Sequence, residues 1–86
     1  MKWYFINIGM ENIIVGDLVS VNETGANVYG DPVSKQKVAC LCEGIIGMVV
    51  KTIDIANVGC YVLVCTPVSL GWTHLVWFDK VLWRME

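Results

Sequence analysis

Short apolar runs, each cut off by glycine, asparagine or proline, constrain this chain more than any other feature. Lys2 to Ile8 stops at Gly9, Asp17 to Asn22 leads into a glycine-bearing segment, and Val38 to Cys42 stops before Gly44. Ile45 to Ile53 is the longest run, Cys60 to Cys65 ends at Thr66-Pro67, and Trp72 to Phe78 is followed by Lys80 to Arg84. Valine and isoleucine recur with aromatics between them, side chains that suit a pleated, half-buried surface. No window of about 12 residues carries a capped helical stripe. Short strands with turns every eight to twelve residues or so indicate a sandwich or a barrel. With 86 residues, a seven-stranded sandwich is cramped. A small barrel closes its own sheet and hides edges that an apolar chain could not safely expose. The pattern thus predicts an all-β domain over residues 1–86, a small barrel of five to seven short antiparallel strands, with an extra N-terminal strand at about 2–8.

The turns can be placed in the same way. Glu23 to Gln36 holds Gly25, Gly30, Asp31 and Pro32 and reads as a long loop or open hairpin. Gly44 and Gly47 permit a bulge or bend at the start of the longest strand. Asn57 to Gly59 reads as a turn.

Composition decides what the surface must look like. Hydrophobic residues make up 56% and charged residues 16%, with mean hydropathy +0.59. An average chain carries about 25% charged residues. A domain of this size buries only about 60–65% of its unfolded surface. Some apolar side chains must therefore remain outside, and an exposed apolar patch marks a partner. The expectation is a protein partner, either a second copy of the chain, giving a homo-oligomer, or a different protein.

The net charge is -2, and the six cations, Lys2, Lys35, Lys37, Lys51, Lys80 and Arg84, are scattered. Affinity for a phosphate backbone comes from clustered cations, so this distribution argues against nucleic acid. No apolar stretch reaches the roughly 18 residues of a membrane helix. Asn7, Glu11 and Asn12 interrupt the N-terminal apolar run, and no small-residue cleavage site closes it. These features predict a soluble, cytoplasmic protein.

Candidate chemistry is sparse. Cys40, Cys42, Cys60 and Cys65 could suggest zinc, but their Cys-x-Cys and Cys-x4-Cys spacings are not those of paired zinc knuckles. On strands, Cys60 and Cys65 would point to opposite faces. They read instead as small buried hydrophobes, and no metal or cofactor is predicted. His74 is the single histidine and reads as a strand residue beside Trp72 and Val76. Asp17, Asp31, Asp54 and Asp79 lie at glycine, proline or expected turns, where turn chemistry explains them. Nothing points to catalysis, so the chain reads as non-enzymatic.

The tryptophans Trp3, Trp72, Trp77 and Trp83 are too bulky to lie all inside so small a barrel. Two of them are expected to fill the core or cap the barrel ends. Trp3, with Tyr4 and Phe5, is the main candidate for an apolar contact surface. Tyr29 and Trp72 are further candidates, with Asp31 near Tyr29 in the long segment.

Three segments together carry a family resemblance. Ile13 to Val21 (IIVGDLVSV) resembles the opening strand of SH3-like barrels, where a Gly-Asp pair turns the chain into an apolar strand. Gly44 to Ile53 (GIIGMVVKTI) resembles their central strand, and Tyr61 to Trp83 resembles the last strands. There Trp77, a short acidic turn at Asp79, and Trp83 would form the closing hairpin. The order of pieces is similar to small SH3-like barrel proteins encoded in tailed-bacteriophage genomes. It departs from that pattern in the long segment Glu23 to Gln36 and in the stretch Thr66 to Trp72. The resemblance implies an SH3-like barrel and a phage accessory protein that associates with itself or docks to a host or virion protein. Gly44 to Ile53 also resembles the core of KOW-type barrels, which contact RNA or the transcription and translation machinery. That alternative requires Lys35, Lys37, Lys51 and Lys80 to form one positive stripe.

Overall fold

The computed structural model describes the backbone of residues 3–7, 13–32 and 36–85 and the side chains of residues 13–32 and 36–82. The strands are β1 (Trp3–Asn7), β2 (Leu18–Val21), β3 (Ala26–Tyr29), β4 (Lys37–Leu41), β5 (Ile46–Ile55), β6 (Gly59–Cys65), β7 (Leu70–His74) and β8 (Phe78–Met85). A 3-10 turn at Leu75–Trp77 links the last two. Every pairing is antiparallel, in the spatial order β1-β8-β2-β5-β6-β7-β3-β4. Strands β2 to β8 make a curled half-barrel, consistent with a small SH3-like barrel. β1 is the added N-terminal strand, paired with β8 from Trp3↔Met85 to Asn7↔Val81.

Local chemistry explains the turns. Asp17 accepts the Ile14 N–H on Oδ2 at 2.9 Å, and the Lys80 ammonium lies 3.2 Å from the same oxygen. Gly16 N–H donates to Val49 O at 2.8 Å, and Val49 N–H donates to Asp17 O at 2.9 Å. The Gly-Asp pair thus bends the chain into β2 and ties it to β5. Thr66 Oγ1 accepts the Ser69 N–H at 3.1 Å, closing the β6–β7 turn over Pro67. A β-bulge falls between Val49 and Lys51.

The core lies on the concave side. Val19, Val21, Val49, Val62, Val64 and Phe78 come from the strands of the curl, and Ala26, Val28 and Leu41 from the β3–β4 hairpin. Alternation along each strand delivers these residues inward. Gly71 allows the hairpin to close over the curl. A Cβ there would strike Val28 Cγ1 and sit 2.9 Å from Tyr29 O, so only glycine lets β3 lie against β7.

One expectation is resolved and one corrected. Of the two readings of Glu23 to Gln36, the structure takes the hairpin: Ala26–Tyr29 is a strand that pairs with β4 and meets β7 at Tyr29↔Trp72. The closing hairpin at Trp77, Asp79 and Trp83 is absent as such. Asp79 sits within continuous β8 opposite Ser20, and the reversal comes earlier, at Leu75–Trp77. His74 causes the shift, because its Nδ1 accepts the Val76 N–H at 3.0 Å and so stops β7 at that residue.

Candidate functional site

Strand β6 is apolar on both faces. Val62 and Val64 are buried in the core, while Tyr61, Leu63 and Cys65 alternate with them and point outward. Register extends that outer face across neighbouring strands. Met48, Cys65 and Leu70 stand side by side across β5, β6 and β7. A second row runs Lys51, Leu63, Trp72, Tyr29, Lys37 across β5, β6, β7, β3 and β4. Ile53, Tyr61 and His74 form a third. Directly opposed antiparallel residues share a face, so the three rows make one surface. Met48 is 46% exposed, Ile53 41% and Leu70 59%.

His74 holds one margin of this surface. Its Nδ1 accepts from Val76 N–H, so the ring proton resides on Nε2, which donates to Val58 O at 3.1 Å. The ring meets Tyr61 edge-on at 5.2 Å between centroids. It also covers Gly59, where φ is +115° and a Cβ would lie 2.7 Å from Nε2. This histidine therefore clamps the β5–β6 turn to the 3-10 turn.

The structure separates the five candidate contact residues. Tyr29 and Trp72 are brought together as direct cross-strand partners. Trp3, Tyr4 and Phe5 lie on β1, opposite Met85, Arg84 and Trp83, with β8, β2, β5 and β6 between them and β7. Their side chains fall outside the described residues, as does that of Trp83. Trp77 is half-buried against the core. Sequence reasoning missed Met48, Ile53, Tyr61, Leu63 and Leu70. The signal was present in the unbroken run Cys60 to Cys65, since a strand with one wet face normally alternates.

The cysteines are a further correction. Cys40, Cys42 and Cys65 are exposed, and Cys60 is intermediate. Leu41 between the first two is fully buried, so alternation puts Cys40 and Cys42 outside. Cys60 and Cys65 do take opposite faces of β6. Burial pushes the Cys60 thiol up from its ordinary pKa, and the hydrogen bond and negative charge of Asp54 push it further. Among the described residues, no three of histidine, cysteine, aspartate and glutamate gather to hold a metal.

The cations do not form one stripe. Lys37 and Lys51 take outward positions, whereas Lys80 stands opposite core-facing Val19 and is paired with Asp17. Lys35 lies outside the described residues. Among the described residues, no helix is long and apolar enough to cross a membrane.

No protein-family model matches the chain, and no curated protein or solved structure matches it either.

Proposed function

We propose that this protein is a non-enzymatic protein-binding module whose working surface is the outer face of β5, β6, β7 and β3. One observation carries the reading: β6 is apolar on both faces like a strand covered on both sides, yet its outer face is only partly covered, with Tyr61 and Leu63 half-buried beside exposed Met48, Ile53, Cys65 and Leu70. Apolar surface left in water is costly by about 25 cal/mol per Å², which a partner would recover on docking. The phage accessory setting implied by the resemblance belongs to the same proposal.

The test compares the wild type with an Ile53→Ser/Leu70→Ser variant. Both side chains are exposed on the outer face, so the variant is expected to keep its melting transition. The reading expects a partner protein, or self-association in sedimentation, with the wild type and its loss with the variant. Identical retention by the two proteins sinks it.

A further inference from the structure

The charges around the outer face specify its occupant more narrowly. The row Lys51, Leu63, Trp72, Tyr29, Lys37 has an exposed lysine at each end and apolar side chains between. Neither lysine joins an ion pair among the described residues. Strands β3, β4, β6 and β7 contain no acidic residue. The single one on β5, Asp54, stands opposite Cys60 on the other side of the sheet.

Three kinds of occupant can be weighed on this basis. A second copy laid face to face would bring lysines toward lysines with no carboxylate on the strands between them, and like-charge juxtaposition opposes association. A single-stranded nucleic acid needs a groove of several cations and a run of stacking rings. Here there are two lysines, and Met48, Ile53, Leu63 and Leu70 occupy much of the surface. A protein segment that is apolar in its middle and acidic at both ends satisfies every part of the row.

We infer that the outer face takes such an acid-ended apolar segment of another protein, with carboxylates meeting Lys37 and Lys51 and apolar side chains covering Leu63, Trp72 and Tyr29. The inference rests on the docking reading above. Measured along the curved sheet, four strand-to-strand steps of about 4.8 Å lie between the lysines, a path of about 19 Å, so an extended segment of about six residues is long enough to reach both.

The experiment is fluorescence anisotropy with two labelled nine-residue peptides. One carries two glutamates at each end of leucine-valine-phenylalanine-valine-leucine, and the other carries lysines in their place. A 12-nucleotide oligothymidylate is the third probe. The wild type is expected to bind the glutamate-ended peptide about tenfold or more tightly than the lysine-ended one. A Lys37→Glu/Lys51→Glu variant, shown to be folded by its melting transition, is expected to reverse that order. Equal binding of both peptides, or an unchanged order in the variant, overturns the charge assignment and leaves the docking reading standing. If neither peptide binds, and the wild type self-associates in a way that Ile53→Ser/Leu70→Ser abolishes, the face belongs to a second copy and the inference falls alone. Binding of the oligothymidylate with neither peptide bound overturns both readings.

Discussion

Val62 and Leu63 are neighbours on one strand, equally apolar, and they meet opposite fates. Val62 is fully buried beneath the β3–β4 hairpin, whereas Leu63 points to the outer face and stays only half-buried. The inner face gains closure from a hairpin inserted between β2 and β5 and from Phe78 at the start of β8. The outer face gains cross-strand contacts such as Leu63 against Trp72 and Trp72 against Tyr29. Such pairs contribute about 0.2–1 kcal/mol each. Apolarity therefore says that a residue is suited to burial, and topology says which residues obtain it from their own chain.

That contrast breaks down if inner and outer substitutions cost the same. Phe78, fully buried, is expected to show the largest effect: Phe78→Ala should lower stability by about 3–5 kcal/mol in urea unfolding, enough to unfold much of a domain this size. Next comes Gly71→Ala, which forces a methyl group against Val28 and the Tyr29 carbonyl. Overpacking of this kind costs about 1–3 kcal/mol, and a neutral result would mean that the hairpin does not seat on β7 as described.

His74→Ala tests the margin where the faces meet. It removes the bonds to Val58 O and Val76 N–H, worth about 1–2 kcal/mol together, and is expected to loosen amide protection at the β5–β6 turn. On the outer face, Leu70→Ser should change the stability of the isolated chain by no more than about 0.5 kcal/mol. A loss comparable to that of Phe78→Ala would show that this face is already covered.

The thiols give the gentlest probe. In timed alkylation near pH 8, Cys40, Cys42 and Cys65 should react before Cys60, because a raised pKa leaves less thiolate at that pH. Asp54→Asn removes the negative charge that helps raise it, so the Cys60 thiolate fraction and labelling rate should rise. Equal rates for all four cysteines would contradict the placement of Cys60.

Much of the fold was legible in the runs themselves. The expected strands at 17–22, 38–42, 45–53 and 60–65 match β2, β4, β5 and β6 within about two residues, the usual uncertainty of strand ends. β3 was hidden because Ala26–Tyr29 is only four residues long between Gly25 and Gly30, and its pairing depends on β4 and β7. The reversal at Leu75–Trp77 was hidden because a single histidine ring nitrogen sets it, and Asp79 offered a more familiar turn signal. Of the candidate site, Tyr29 and Trp72 were legible as bulky aromatics. Their adjacency was not, since 43 positions separate them in the chain.

The sequence alone determined the class of this molecule. Short β-branched runs, glycine punctuation and scarce charge leave an all-β domain with apolar surface to spare, because backbone preference and composition are local properties. Only the tertiary structure decided where that surplus lies. Which side of β6 becomes core depends on the curl of the sheet and on a hairpin that closes over one face, and those are relations between residues far apart along the chain.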